Sequence, residues 1–166
     1  MDKQARFVDE QLTVADFYNE VLVVCPSCSG RAIAICDQIK ETARLTCISC
    51  GYSKEVPTRY SYAPDGKRQT GIADDDNSAK SKTYRLITAA HTYFNAELWL
   101  QAPFKEHVFW AYNHKHLNYL KRYIAASLRE SADRSHFTLV EKLPKFLQAA
   151  GNRQGLLKII EQLEKR

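Results

Sequence analysis

The chain has 166 residues, 45% of them hydrophobic and 26% charged, which is enough for one ordinary domain or for a small domain with a larger companion. No stretch approaches the roughly 18 apolar residues of a membrane-spanning helix, and the first residues, MDKQARFVDEQ, lack the apolar core of a secretory signal. We therefore expect a cytoplasmic protein without a membrane segment, in a compartment that keeps thiols reduced.

The formal net charge of +5 is distributed unevenly along the chain. Residues 105–166 contain 12 Lys and Arg against 6 Asp and Glu, a net charge of +6, whereas residues 1–104 contain 12 against 13, a net charge of −1. A basic surface of this kind favours an anionic partner, either nucleic acid or an acidic protein. A helical surface whose charges only improve solubility explains the same count.

The N-terminal part of the chain is predicted to be a helical lead-in followed by short strands. Residues 1–20 form the lead-in, in which Thr13 and Asp16 cap a short turn. Four segments rich in β-branched or alternating apolar residues follow and are predicted strands: EVLVVC, RAIAIC, ARLTC and GYSKEV. These strands flank two turns that contain cysteine.

Four of the five cysteines form two Cys-x-x-Cys pairs, Cys25 with Cys28 and Cys47 with Cys50, and residues 29–46 separate the pairs. This spacing is typical of a zinc site with four thiolate ligands, because each tight turn aims both of its sulfurs at one ion. Such a site has no open coordination position, so the predicted role of Zn²⁺ is structural. Iron fits the same four ligands.

Two other interpretations of the cysteines are less favoured. A thioredoxin-like redox site requires a Cys-x-x-Cys pair that opens a helix after a strand, and no helix is predicted after either pair. The fifth cysteine, Cys36, shares a predicted strand face with Ala32 and Ala34, which indicates a small buried apolar residue.

Residues 57–83 have the composition of a polar linker or loop. They contain Pro-Asp-Gly, three consecutive Asp and several Ser, Thr and Lys without any periodicity. A loop of this length is unusual inside one compact domain. It therefore predicts a boundary between a zinc ribbon with its lead-in at residues 1–56 and a second module at residues 84–166.

The second module is predicted to be a β-hairpin followed by three helices. ELWLQAPF and EHVFWAYN form the hairpin, with Trp99 and Trp110 on its buried face. Apolar residues recur at helical spacing over residues 114–131, and a short helix and a final helix capped by Asn152 follow. The predicted fold class is α+β: an N-terminal zinc ribbon of short antiparallel strands, then a β-hairpin and a C-terminal helical part.

Basic residues lie outside the apolar stripe of the predicted helix over residues 114–131, with tyrosines beside them. They are Lys115, Lys121, Arg122 and Arg129. Cations among aromatic rings can hold phosphates while the rings stack on bases, although at this spacing they are more often part of a core and its rim. No Gly-rich phosphate loop and no hydrolase or metalloprotease motif is present, so nothing in the sequence supports an enzyme or a small-molecule substrate.

Three parts of the sequence resemble a group of bacterial zinc-ribbon-containing proteins of unassigned function. They are the cysteine segment, LWLQ…FWAYNHKHLNYLKRYIAASLRE and LPKFLQAAGNRQGLLKIIEQL. The resemblance covers the ribbon and about the last 70 residues, omits the linker, and implies Cys25, Cys28, Cys47 and Cys50 as ligands. In that group the hairpin turn often contains a further cysteine. The corresponding turn here, APFKEH, has none, so a second metal site is not implied.

Two functions follow from these observations. The first is a non-enzymatic, cytoplasmic zinc-binding module that binds nucleic acid through its basic C-terminal helices. The second is a protein-binding adaptor, or an immunity protein that occludes a bacterial toxin; an exposed aromatic patch at Trp99 and Trp110 would favour it. The fold serves both functions, and fold alone does not fix function.

Overall fold

The computed structural model describes residues 6–62, 68–70, 83–85, 89–130 and 138–166, of which 59–62, 68–70, 83–85 and 128–130 are described by their backbone alone. The chain divides into two units. The cysteine unit is Asn19–Glu97, and the terminal unit combines Met1–Tyr18 with Leu98–Arg166. The fold class is α+β, as predicted.

The described strands and helices follow one another in this order along the chain. They are β1 (Arg6–Val8), β2 (Glu20–Val24), β3 (Arg31–Asp37), β4 (Thr42–Thr46), β5 (Ser53–Pro57), β6 (Arg59–Tyr62), β7 (Arg68–Thr70), β8 (Thr83–Arg85), β9 (Leu100–Phe104), β10 (His107–Ala111), α1 (His114–Ala125), β11 (Leu128–Glu130), α2 (Lys145–Gln148) and α3 (Arg153–Leu163). Short 3-10 helices occupy Val14–Asp16, Ala90–Phe94, Val140–Lys142 and Ala150–Asn152.

The main sheet of the cysteine unit contains the four strands that the sequence predicts. They are antiparallel in the order β2-β3-β4-β5. Alternate residues face one side of the sheet, as the two-residue period of a strand requires, and these are fully buried: Val21, Val23, Ala32, Ala34, Ala43 and Leu45. The 3-10 helix at Ala90–Phe94 packs against β2, β3 and β4, and Ala90 is completely buried there.

The cysteine unit also contains a second sheet, where the sequence predicts a linker or loop. Its strands are antiparallel in the order β7-β6-β8. Tyrosine favours a strand, and Tyr60 and Tyr62 lie in this segment. The Pro-Asp-Gly segment and the charged residues that follow it are typical of a loop, so the sequence pattern indicates a loop for the whole segment. The remainder of residues 57–83 lies largely outside the described residues. The cysteine unit therefore extends past the predicted boundary, to Glu97.

The terminal unit contains the predicted hairpin and the three helices α1, α2 and α3. β9 and β10 pair antiparallel across Lys105 and Glu106, and Lys105 adopts a positive φ of 52° in the turn. Asn113 begins α1 by accepting a hydrogen bond from the His116 amide at 2.9 Å, which satisfies a donor that the helix leaves free. The core between α1 and α3 consists of completely buried aliphatic residues: Leu117, Leu120, Ile124, Leu156, Ile160 and Leu163.

Two segments that the sequence predicts to be helical are instead strands that pair with each other. β1 lies in the predicted helical lead-in, and it pairs in parallel with β11, which lies in the last part of the helix predicted over residues 114–131. Phe7 of β1 is buried against the rings of Tyr119 and Tyr123, with ring centres 5.4 Å apart in both pairs. The lead-in therefore belongs to the terminal unit, and α1 ends at Ala125.

The cap predicted at Thr13 and Asp16 is confirmed, whereas the one at Asn152 is not. The Asp16 carboxylate accepts hydrogen bonds from the Thr13 amide and hydroxyl at 2.7 and 2.9 Å, and these bonds lower the pKa of Asp16. Asn152 makes no side-chain cap. Instead it donates to the Phe146 carbonyl and accepts from Lys105. None of the helices in the described part of the chain combines the length and apolarity that a membrane crossing requires.

Candidate functional site

The first cysteine pair lies in a tight turn between β2 and β3. The Cys25 amide donates to the Gly30 carbonyl at 2.8 Å, and the Ser29 amide donates to the Cys25 carbonyl at 2.9 Å. The Ser27 amide points at the Cys25 Sγ, 3.4 Å away. The backbone thus closes a loop that presents both sulfurs of the pair on one side.

The second pair repeats this turn between β4 and β5. The Cys47 amide donates to the Tyr52 carbonyl at 2.8 Å, and the Gly51 amide donates to the Cys47 carbonyl at 3.0 Å. The residue after the last cysteine has a positive φ in both turns, 59° at Ser29 and 74° at Gly51. In an antiparallel sheet of consecutive hairpins these two turns lie at the same end, so the topology brings the pairs together.

The four sulfurs form one cluster. The Sγ atoms of Cys25 and Cys50 are 3.7 Å apart, as are those of Cys28 and Cys47. All four lie within 4.8 Å of one another, so they can hold a metal ion. Cys25 and Cys47 are buried and Cys28 and Cys50 are exposed, so one side of the cluster faces the unit and the other faces solvent.

The electrostatics of the cluster favour a cation. The amides of Cys50 and then Ser49 lower the pKa of the Cys47 thiol to about 6. The Gly30 amide likewise favours a thiolate at Cys28, but the neighbouring thiols outweigh it and raise the pKa of Cys28 to about 12. Thiolates this close repel one another, and a bound cation removes that repulsion and deprotonates its ligands.

Cys36 lies outside this cluster. It is half-buried on β3, opposite Ala43 of β4, on the strand face that Ala32 and Ala34 share. The described residues place no metal-ligating group of three or more around it. The sequence therefore predicts which four cysteines cluster, whereas Cys36, predicted to be buried, is only half-buried.

The positive φ at Gly51 predicts a measurable cost for Gly51→Ala. A methyl group there would meet no atom within 4 Å, so the cost is conformational and amounts to about 1–2 kcal/mol. Gly151→Ala is the matched control, because its methyl also meets nothing within 4 Å and its φ is not positive. We expect only Gly51→Ala to lower the denaturant concentration at which the metal is released to a chromophoric chelator. Equal release from both variants would contradict the assignment of strain to Gly51.

The predicted basic residues of the terminal unit differ in their surroundings. Lys115 is exposed, with its Nζ 5.5 Å from the ring centre of Phe17. Lys121 forms an ion pair with Glu164 at 2.8 Å. Arg129 lies in β11, where only the backbone is described.

Arg122 also has an acidic partner. Its guanidinium pairs with the Glu10 carboxylate at 2.7 Å, and this hydrogen bond lowers the pKa of Glu10. Of the predicted basic residues, Lys121 and Arg122 are therefore each paired with a carboxylate of the chain itself.

The two tryptophans do not share a buried face, contrary to the prediction. Trp99 precedes β9 and is half-buried; its Nε1 is buried and has no hydrogen-bond partner in the described chain. Trp110 is 40% exposed, because Phe109 and Ala111 occupy the inward positions of β10. The outward face of β10 therefore presents Trp110 together with Val108, which is 53% exposed.

This outward face lines an apolar groove of about 210 Å³ in the terminal unit. We call it the Trp110 groove, and its walls come from four segments of the unit: the 3-10 helix at Val14–Asp16, β10, α1 and residues 139–147. The lining residues are Val14, Val108, Phe109, Trp110, His116, Leu120, Leu139, Lys142, Leu143, Pro144, Phe146 and Leu147. The sequence gives no local signal for this groove, because residues 139–147 approach β10 only in the folded unit.

His116 is buried in the wall of the Trp110 groove. Its ring stacks on Phe17 with centres 4.8 Å apart, and its Nδ1 accepts a hydrogen bond from the Tyr112 amide at 3.3 Å. Burial lowers the pKa of His116 to about 4, so the ring is neutral at pH 7. A neutral ring that accepts at Nδ1 carries its proton on Nε2, and Nε2 has no partner among the described residues.

Comparison of the chain with protein-family models, curated proteins and solved structures gives no match. The four-cysteine cluster is consistent with a zinc-ribbon-like module that has a possible metal site.

Proposed function

We propose that this chain is a non-enzymatic, cytoplasmic binding protein that a structural zinc ion stabilises and that recognises another protein. The four-cysteine cluster supports the first part of the proposal. The exposed Trp110 beside an apolar groove supports the second, and it is the observation on which the choice of partner rests.

The dimensions of the cluster suit zinc. Four sulfurs at the usual zinc–sulfur distance of about 2.3 Å from one ion lie about 3.8 Å apart at the corners of a tetrahedron. The separations of 3.7 Å within the Cys25–Cys50 and Cys28–Cys47 pairs match this value. Iron takes similar thiolate geometry, but a zinc ribbon of two knuckles between short antiparallel strands is the simpler assignment for this topology.

A zinc ion in this cluster would have a structural role. Four protein ligands fill a tetrahedral shell and leave no position for a reactive water or a substrate. The ion would instead fix the two turns and the sheet between them. Binding energies of about 10–16 kcal/mol for structural zinc sites are large enough to decide whether a small unit folds.

A protein partner is favoured by the outward face of β10. Trp110 and Val108 are large apolar side chains left 40% and 53% exposed, and tryptophan is among the residues that contribute most to protein interfaces. Contiguous exposed apolar patches mark interaction sites, and here the two exposed side chains continue into an apolar groove. An adaptor and an immunity protein against a toxin are both forms of this function.

Nucleic acid is the second candidate, and the net charge of +6 over residues 105–166 favours it. Lys115 is exposed and available for a phosphate contact. Lys121 and Arg122, however, already face Glu164 and Glu10 at 2.8 and 2.7 Å. A phosphate would have to displace both carboxylates, so the described surface fits a protein better.

Affinity purification of the tagged full-length chain from its native cell separates the two candidates. We expect a protein to remain bound in stoichiometric amount after nuclease treatment and at raised salt. Binding through several phosphates weakens steeply with salt, so a nucleic-acid binder would lose its partner under both conditions. Recovery of nucleic acid alone would contradict the proposal.

A further inference from the structure

We propose that the Trp110 groove is the docking site for an acidic, amphipathic segment of the protein partner, which inserts one bulky apolar side chain into it. This inference rests on the proposed function, because it requires that the partner is a protein. It specifies the surface at which the partner binds and the kinds of residue that the bound segment contains.

The size and lining of the groove define the inserted side chain. A dry apolar cavity of about 150 Å³ accommodates a benzene ring, so about 210 Å³ accommodates one aromatic or large aliphatic side chain. The walls that it would contact include Trp110, Leu143, Phe146 and Leu147. A single buried anchor in a pocket of this kind is the usual centre of a protein interface.

The groove opens at the surface and is not a gap within the core. Val108 and Trp110 are 53% and 40% exposed on the outward face of β10, and Pro144 on the other wall is exposed as well. Leu143 and Leu147 beneath them are buried. Covering an apolar wall that faces water stabilises a complex, because apolar surface is removed from water.

Charge selects an acidic segment. Lys142 is the charged residue in the lining, no carboxylate is part of that lining in the described chain, and Lys145 is exposed beside Pro144. Glu141 precedes Lys142 without lining the groove. Acidic residues that flank the apolar anchor would complement Lys142 and Lys145 and speed association.

The inference is tested by photocrosslinking of the full-length chain in its native cell. A photoactivatable residue replaces Val108 at the groove or, in the control, Ile39, which is 96% exposed in the cysteine unit. We expect the Val108 position alone to crosslink a protein, through an acidic segment with a bulky apolar residue. Crosslinks from Ile39 alone, to a second copy of this chain, or to a basic segment would overturn the inference while leaving a protein partner. Recovery of nucleic acid without any protein would overturn the proposed function itself.

Charge reversal at one position then tests the selectivity. The crosslinked segment is synthesised as a peptide, and its affinity is measured for Val108→Glu, Val108→Lys and Ile39→Glu. Both substitutions at Val108 lose the same apolar contact, but only Val108→Glu adds a repelling charge. We expect Val108→Glu to bind about tenfold more weakly than Val108→Lys, and Ile39→Glu to bind as the unchanged chain does. Equal affinities for Val108→Glu and Val108→Lys would overturn the choice of an acidic segment. Far-UV circular dichroism verifies that each variant is folded.

Discussion

Cys47→Ser is expected to release the metal and unfold the cysteine unit while the terminal unit keeps its helices. Cys47 is 1% exposed, and its sulfur lies on the buried side of the cluster, 3.7 Å from the sulfur of Cys28. A hydroxyl is a much poorer zinc ligand than a thiolate, and loss of one ligand removes much of the roughly 10–16 kcal/mol that a structural zinc site provides. The buried aliphatic residues of β2 to β5 are mainly Ala and Val, with Leu22 and Leu45 as the larger ones, which leaves little to replace that energy.

Unfolding of the cysteine unit can be measured separately, because the two units differ in secondary structure. All three described α-helices lie in the terminal unit, so the far-UV helical signal should persist in Cys47→Ser. Hydrogen exchange read by mass spectrometry should show lost protection in β2 to β5 and unchanged protection in α1 and α3. Cys36→Ser, outside the cluster, should behave like the unchanged chain. Full protection of β2 to β5 in Cys47→Ser would contradict a stabilising role for the metal.

The stability of the terminal unit is expected to fall as the pH drops from about 6.5 towards 4, because His116 is buried as a neutral ring. Burial lowers its pKa from 6.5 to about 4. Because the folded pKa is the lower one, the unfolded chain takes up the proton first, and acid favours unfolding. This contribution is complete above the unfolded pKa and is lost over the interval between the two values. At 1.36 kcal/mol per pKa unit, the loss is on the order of 3 kcal/mol.

Denaturant unfolding followed by tryptophan fluorescence measures this loss, since Trp99 and Trp110 both belong to the terminal unit. His116→Gln is the comparison, because Gln does not titrate and its amide oxygen can accept the hydrogen bond from Tyr112. We expect the unchanged chain to lose stability more steeply than His116→Gln between pH 6.5 and pH 4. Parallel curves for the two proteins would show that His116 is not buried as a neutral ring.

The features that the sequence predicts correctly are local ones. The spacing of Cys25, Cys28, Cys47 and Cys50 and the strands beside them depend on short segments, whose turn and pleat chemistry is visible in a single pattern. The hairpin of β9 and β10 is predicted for the same reason. These segments form the candidate metal centre almost completely, so that site could be predicted residue by residue.

The features that the sequence does not predict depend on contacts between distant segments. β1 and β11 become strands because they pair with each other from opposite parts of the chain, and no local preference indicates that pairing. Asp9 is 5% exposed and accepts a hydrogen bond from the Tyr119 hydroxyl at 3.0 Å. In sequence Asp9 resembles an ordinary surface carboxylate, so its burial could not be predicted from the residues around it.

Trp110 illustrates the limit most clearly. The segment HVFWAYN is apolar at consecutive positions, so the two-residue period of a strand does not indicate which face lies inside. A shift of one residue exchanges the two faces completely. The structure places Phe109 inside and Trp110 outside, and this choice creates the apolar groove on which the proposed partner surface depends.

Native mass spectrometry of the intact chain, purified from its own cell without added metal, tests the central claim most directly. The account predicts one zinc ion per chain in the unchanged protein and in Cys36→Ser, and none in Cys47→Ser. An unchanged chain that is folded without metal, or one that carries iron in place of zinc, would contradict the account.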